Sequence, residues 1–327
     1  MRQTLFLSDD SSQLRGFLVI DDTSLGPACG GVRIAAYPNL SSALGDCLRL
    51  AHAMTIKCAL AGLPAGGGKV VVIDHPALDR RRAFRELGAR IEAMHGAFRT
   101  AGDFGTTCDD LAAMAETTRY VHCSEERLAA AAGRGIVLAA SAAARMRGHD
   151  SLEGLRVAVQ GCGTIGSAAA RAFRDAGARL FVSDCDGYRC VTVAHEVGAV
   201  AVDADEILEL DADILVPCAR GGVIDAAMAP RIRAWAVCGG ANNIVADDES
   251  ERTLVERGIV FVPDVVSSAG AVIEGIGESV MGLADRTPLV DAIQETTRSV
   301  LARSMQTGEL PSHVAESIAL ARIEGHE

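Results

Sequence analysis

The chain has 327 residues, of which 49% are hydrophobic and 4% aromatic, and a formal net charge of -12. That length accommodates two domains of ordinary size. The acidic balance, interrupted only by Arg80, Arg81 and Arg82, argues against nucleic acid or an anionic membrane surface as a partner, both of which call for a basic stripe.

The opening run MRQTLFLSDDSSQ lacks the charged segment and apolar core of a secretory signal. No apolar stretch approaches the ~18 residues needed to span a bilayer. The ten cysteines include no CxxC pair. Cys58, Cys162 and Cys218, in small apolar settings, read as free buried thiols, which fits a reducing cytoplasm. Cys and His do not cluster at metal-ligand spacing, so no metal is expected.

Along the chain, Gly16 to Ile20 reads as a buried strand. Ser41 to Lys57 reads as a helix, with Leu44, Cys47, Leu48, Ala51 and Met54 on one face and Ser41 as its cap. The glycine run of AGLPAGGGK reads as a turn, followed by a strand over Val70 to Ile73. Thr107 opens another helix through a capping box, TCDD. The Ala-rich stretch Ala129 to Gly148 is helical in character, and the domain junction falls near its start. From Arg156 the short apolar segments RVAVQ, RLFVS, DILVP, WAVCG and IVFVP alternate with helical or turn segments, the pattern of a parallel sheet covered on both faces. The tail after Asp291 reads as amphipathic helix. The expected organisation is therefore α/β in two domains. Residues 1–130 form a substrate-binding and oligomerising domain, and 131–290 a doubly wound Rossmann domain. Residues 291–327 form a helical segment that packs back on the first domain.

The strand RVAVQ runs into Gly161-Cys-Gly163-Thr-Ile-Gly166, a GxGxxG that follows a strand and opens a helix. Gly161 suits the tight turn, Gly163 the close approach of a pyrophosphate, and Gly166 the packing of helix on strand. The helix N-terminus, from Thr164 and Ile165, offers free N–H groups to phosphates. Asp184 follows the next strand, 18 residues after Gly166. An acid there accepts hydrogen bonds from ribose hydroxyls and repels the extra phosphate of NADP, so NAD is the cofactor expected. Arg189 nearby leaves NADP open.

Two lysines and one acid stand out in the first 130 residues. Lys57 ends the MTIK helix, where it either stabilises the helix terminus or serves a site. Lys69 follows the glycine run and is either an exposed loop lysine or functional. Val70 after it breaks the GxxxxGK[ST] spacing of a P-loop, which argues against ATP. Asp103, in TAGDFGTT, either stabilises the N-terminus of the following helix or acts in chemistry.

Taken in order, LGPACGGVR (25–33), LRLAHAMTIKCALAGLPAGGGKVVV (48–72), AGDFGTT (101–107), SLEGLRVAVQGCGTIG (151–166), DILVPCARGG (213–222), GGANN (239–243) and VPDVVSSAGAVIE (262–274) resemble the Glu/Leu/Phe/Val dehydrogenase family, most closely its leucine and phenylalanine dehydrogenase branch. The likeness covers nearly the whole chain. It implies a cytoplasmic homo-oligomer with its active site in a cleft between the two domains. The implied reaction is NAD-dependent oxidative deamination of an L-amino acid to a 2-oxo acid and ammonium. It further implies that Lys57 holds the substrate carboxylate and that Lys69 activates water and holds the amino or oxo group. Asp103 then exchanges protons with the amino group, and Gly30 and Gly31 line the substrate site. Cys218, Ala219 and Asn242 join the fingerprint residues around the cofactor. These residue types suit the chemistry, because a lysine in a desolvated site can alternate between acid and base near neutral pH.

Three departures from the family qualify that expectation. Its Asn-Pro-Ser-Pro stretch and following Thr are replaced by SEERLAAAAGRGIV, with a small residue around Ala132 where the Thr would contact the nicotinamide. The Asn that touches substrate is Ser268. The N-terminus is short, which bears on oligomer size. Loss of these polar contacts leaves two other readings open: reduction of an imine or coupling of an amine on the same fold, and a non-catalytic NAD-binding sensor.

Overall fold

The computed structural model describes residues 2–325, with Glu125 given by its backbone alone. The chain divides into two compact units. Unit 1 comprises Met1–Glu125, Gly275–Ala284 and Ala319–Glu327, and unit 2 comprises Glu126–Glu274 and Asp285–Ile318. Both are α/β.

Unit 1 is built on β1 (Gln3–Asp9), β2 (Leu14–Ile20), β3 (Ala28–Cys29), β4 (Val32–Ala35), α1 (Leu40–Leu60), β5 (Gly66–Ile73), α2 (Arg80–Glu92), β6 (Phe98–Arg99) and α3 (Cys108–Ala115). The sheet order is β1-β2-β5-β3-β6, with β4 also paired to β5. The β1–β2 and β2–β5 pairs are antiparallel, whereas β3 and β4 run parallel to β5. One face carries Val32, Ile34, Val70 and Val72 into a core with Phe84, Leu87 and Ile91 of α2. The other presents Phe17, Val19 and Val71 to Ala43, Cys47 and Ala51 of α1. Because side chains alternate along a strand, Lys69 and Arg33 share the α1 face with Val71.

The glycine run is strand rather than the turn its composition suggested. Gly66, Gly67 and Gly68 all lie in β5, and the reason is crowding. A Cβ on Gly66 would stand 1.9 Å from the Asp22 carbonyl, one on Gly67 2.1 Å from the Thr55 nitrogen, and one on Gly68 2.7 Å from the Phe98 ring. The glycines let α1 and the neighbouring strands press onto β5. Helix α1 is longer than predicted and is capped by Asn39, whose side chain accepts from the Ser42 N–H, rather than by Ser41. Thr107 caps α3 in the expected capping box with Asp110, and Asp110 is held in turn by Arg80 of α2.

Unit 2 begins with α4 (Glu125–Met146) and continues through β7 (Arg156–Gln160), α5 (Thr164–Asp175), β8 (Arg179–Ser183), α6 (Gly187–Val197), β9 (Val200–Ala201), β10 (Ile214–Pro217), β11 (Ala236–Val237), α7 (Asp248–Glu256), β12 (Val260–Phe261) and the short α8 (Asp264–Ser267). The six strands are all parallel in the order β12-β11-β10-β7-β8-β9. Counted within the unit this is 6-5-4-1-2-3, the doubly wound dinucleotide-binding order. The predicted strand segments are all present, although WAVCG and IVFVP contribute only two ladder residues each.

Three helices complete the chain: α9 (Ala269–Ser279), α10 (Thr287–Thr307) and α11 (Pro311–Glu324). The tail is thus two helices, broken where Gly308 takes φ 76° and Pro311 opens the next. Within unit 1, Arg322 of α11 donates to the carbonyls of Ala59 and Leu60 at 2.9 and 2.6 Å, and Arg99 donates to the Ser279 carbonyl at 2.8 Å.

Contrary to the sequence expectation, one helix among the described residues, Glu126–Met146, is long and apolar enough by length and composition to cross a membrane. Of its most apolar 18-residue window, 56% is buried in the fold. Ala139, Ala140, Ala143 and Ala144 are buried, the mark of a core helix whose small residues admit close neighbours. Gly133 meets Ala168, and Gly135 meets Ile293.

Candidate active site

The polar centre of unit 1 forms where β4, β5 and the loop before α3 converge. Lys69 occupies the middle of a strand buried at every residue but its last and is itself only 4% exposed, so it is not a loop lysine. Its Nζ lies 2.8 Å from Asp103 Oδ2. Asp103 turns toward this lysine rather than capping α3, whose N-terminus is served by Thr107 and Asp110. The Asp103 main chain is fixed by Thr106, whose hydroxyl donates to the Asp103 carbonyl at 2.6 Å and accepts from its N–H at 2.9 Å. Burial pushes the Asp103 carboxyl up, but Lys69 and Arg33 outweigh it and hold the group well below the usual carboxylate range. Asp103 is therefore ionised across the working pH range.

The glycine pair admits this arrangement. A Cβ on Gly31 would stand 2.9 Å from Asp103 Cβ, and one on Gly30 1.7 Å from the Gly68 carbonyl. Gly31 also accepts from Val70 N–H at 3.2 Å, tying the segment to β5 beside Lys69. Lys57 lies in the last turn of α1 and is 4% exposed, too buried to serve merely as a solvated cation at a helix end. α1 packs along β2 and β5.

Arg33 was not singled out from the sequence. It sits on β4 between the buried Val32 and Ile34. Its Nε lies 3.1 Å from Asp103 Oδ2 and its Nη1 3.2 Å from Asp46 Oδ2. The alternation of β4 puts Arg33 on the opposite face from two core residues. That was the available signal, but its partners lie 13 and 70 residues away in sequence.

Unit 2 gathers a second group of predicted residues at the C-terminal ends of its strands. Gly161 has φ +94°, and a Cβ there would meet Ala219 at 2.9 Å. A Cβ on Gly166 would stand 1.8 Å from the Gly161 carbonyl and 3.2 Å from Cys218 Cβ. Gly163, by contrast, faces open space. It is the N-cap of α5 and provides no side-chain cap, so the first N–H groups of the helix, from Thr164 and Ile165, are left for a ligand. Asp184 follows β8 and accepts from the Cys162 N–H at 2.7 Å and from the Asp186 N–H at 2.8 Å. Burial raises its pKa, but these N–H groups and Arg189 together lower it below the ordinary value. Arg189 lies 3.7 Å from Asp184 and 3.5 Å from Asp186. Burial pushes the Cys218 and Cys162 thiols each up to about 12, making them packing groups rather than nucleophiles. These features fit a dinucleotide: an open glycine, an uncapped helix N-terminus and an ionised acid at the next strand end. Asn242 lies in the loop after β11, its carbonyl close to Gly221. Ser268 follows α8, and its hydroxyl donates to the Asp264 carbonyl at 2.6 Å.

A doubly wound unit with its glycine fingerprint, together in one chain with an α/β unit holding a buried lysine–aspartate pair, defines a two-domain dehydrogenase fold. Residues 4–120 match the family described as Glu/Leu/Phe/Val dehydrogenase, dimerisation domain, and residues 124–199 and 186–307 match Glutamate/Leucine/Phenylalanine/Valine dehydrogenase. The chain is 36% identical to the leucine dehydrogenase of Geobacillus stearothermophilus, over 98% of its own length and 90% of that protein's. It is 37% identical to the phenylalanine dehydrogenase of Lysinibacillus sphaericus, over 83% and 75% of the two chains. Its fold superposes on the crystal structure of L-tryptophan dehydrogenase from Nostoc punctiforme with a TM-score of 0.82 and 33% identity, covering 99% and 96% of the two chains. The chain belongs to the Glu/Leu/Phe/Val family of amino acid dehydrogenases.

Proposed function

We propose that this protein oxidatively deaminates a small L-amino acid to its 2-oxo acid and ammonium with NAD, and catalyses the reverse reductive amination. The observation that carries the reading is the buried contact of 2.8 Å between Lys69 Nζ and Asp103 Oδ2, in a chain whose other unit has a dinucleotide fingerprint with Gly163 open to a ligand.

NAD, when bound, supplies the hydride-accepting chemistry at the substrate Cα. In unit 2 the N–H groups of Thr164 and Ile165 would hold the pyrophosphate, Gly161 and Gly163 would give it room, Gly166 would keep the helix close to the strand, and Asp184 would accept from the ribose hydroxyls. Cys218, Ala219 and Asn242 border the same loop system. The preference for NAD over NADP is supported by the ionised Asp184 and by Arg189, which is engaged with two acids rather than available to a 2′-phosphate.

In unit 1 Lys57 binds the substrate carboxylate and fixes its orientation. Lys69 holds the amino group and takes a proton from the water that adds to the iminium carbon. Asp103 relays protons to and from the departing amine. Gly30 and Gly31 line the pocket, and Ser268 is the further residue assigned to substrate contact. We propose further that the chain is a cytoplasmic homo-oligomer, a setting supported by ten free cysteines.

A second reading on the same fold, reduction of an imine or coupling of an amine, is favoured by one feature. The Ser268 hydroxyl is turned onto its own helix at Asp264, leaving less polar reach at that position than a longer amide side chain would have. The test is NADH consumption with aliphatic and aromatic 2-oxo acids plus ammonium, and in parallel with primary amines in place of ammonium. Turnover with ammonium supports deamination. Turnover only with primary amines supports the second reading, and NADH binding without turnover on either panel overturns both.

A further inference from the structure

Resting on that reading of the unit 1 site, we propose that Arg33 is a positioning residue that fixes Asp103 against Lys69 and is itself pinned by Asp46. Four observations carry it. Arg33 Nε reaches the same carboxylate oxygen, Asp103 Oδ2, as Lys69 Nζ, at 3.1 and 2.8 Å. Arg33 Nη1 meets Asp46 Oδ2 at 3.2 Å. Asp46 in turn accepts from the Tyr37 hydroxyl at 2.6 Å and from Arg49 at 2.6 Å. The side chains of Arg33, Asp46 and Asp103 are each less than one-fifth exposed.

A buried charge is costly unless paired, and Arg33 is paired twice, on opposite ends of a rigid planar group. This makes it a brace between α1 and the Asp103 loop rather than a solvated surface cation. Its chemical consequence follows from its permanence. When the proposed reaction draws a proton from Lys69, a carboxylate held by Lys69 alone would lose its only compensating charge and gain proton affinity. The guanidinium does not titrate in this range, so Asp103 keeps a compensating charge when Lys69 changes state and hands a relayed proton on rather than retaining it. The groups facing Asp103 are Lys69 from β5, Arg33 from β4 and the Phe104 N–H. Those facing Arg33 are Asp103, Asp46 and Tyr37, with Arg49 behind Asp46.

The test compares wild type with Arg33→Met and Arg33→Lys, and with Asp46→Asn, which loosens the brace while keeping the arginine. In Arg33→Met the acid limb of the pH profile for kcat should move up by about one pH unit or more, the scale of one nearby opposite charge. kcat should fall at least about tenfold, while KM for the amino acid changes by less than about threefold. Arg33→Lys should recover part of the loss, and Asp46→Asn should give a smaller change in the same direction. Independently of turnover, the 13C carboxyl resonance of Asp103, assigned against Asp103→Asn, should titrate at higher pH in Arg33→Met than in wild type. If wild type turns over no substrate, the functional reading fails while this titration still decides the role of Arg33. If Arg33→Met does not fold, Arg33→Lys and Asp46→Asn carry the comparison. An Asp103 titration and an acid limb identical to wild type in these variants would overturn the proposal.

Discussion

Lys69 and Asp103 meet at 2.8 Å inside unit 1 although 34 residues separate them, one on the central strand and the other on a loop that Thr106 pins through two hydrogen bonds. The pairing depends on Gly31, because a side chain there would occupy the space of the Asp103 Cβ.

Removing either member of the pair should therefore abolish chemistry more than binding. Lys69→Ala and Asp103→Asn are expected to lower kcat by about 10²–10⁴-fold, the range for a positioned acid or base. KM should move by much less. Steady-state kinetics of both variants would check this, and a loss confined to KM would count against the assignment.

Lys57 should show the opposite division. If it only holds the carboxylate, Lys57→Ala removes a charge-assisted contact of about 1.5–3 kcal/mol, or roughly 10–150-fold in KM. kcat at saturating substrate should fall far less. An amino alcohol lacking the carboxylate should then bind the variant and wild type with similar affinity.

The two fingerprint glycines separate stability from binding. Gly166→Ala places a Cβ 1.8 Å from the Gly161 carbonyl and should lower both Tm and dinucleotide affinity. Gly163→Ala points its methyl into open space and should leave Tm within a degree or two of wild type while weakening NADH binding. Thermal unfolding and fluorescence titration on the same samples would decide it.

Glu251 gives a stability prediction with a definite sign. It is 1% exposed and accepts from the Ser312 N–H at 2.9 Å. Burial raises its pKa against the opposing effect of that hydrogen bond. A carboxyl whose pKa is raised by folding contributes stability that is fully present below its unfolded value of ~4.3 and is lost as pH rises through the folded value. Glu251→Gln keeps an acceptor for Ser312 without the charge, so it should raise Tm at pH 7 and lose that advantage near pH 4. A variant less stable than wild type at both pH values would contradict this.

Much of this was legible in the sequence, for identifiable reasons. The fingerprint could be read because Gly161, Gly163 and Gly166 each answer a local demand of the turn they form, and Asp184 follows at the next strand end. The helix at Thr107 was readable from its capping box alone. β1 left no trace: four of its first residues are exposed, so no alternation marks it. The run Gly66–Gly68 misled because glycine usually signals a turn, whereas here it answers contacts with Asp22, Thr55 and Phe98 that only the folded chain creates. Arg33 was hidden for the same reason, since neither of its acidic partners is near it in sequence.

The central claim is that hydride leaves the Cα of an L-amino acid. The most direct measurement incubates the enzyme with NAD and a panel of Cα-deuterated L-amino acids and determines by mass spectrometry where the deuterium goes. The account predicts deuterated NADH and unlabelled 2-oxo acid for at least one amino acid, lost in Lys69→Ala. Substrate consumed without label appearing in NADH, or no transfer from any member of the panel by enzyme that binds NAD, would contradict it.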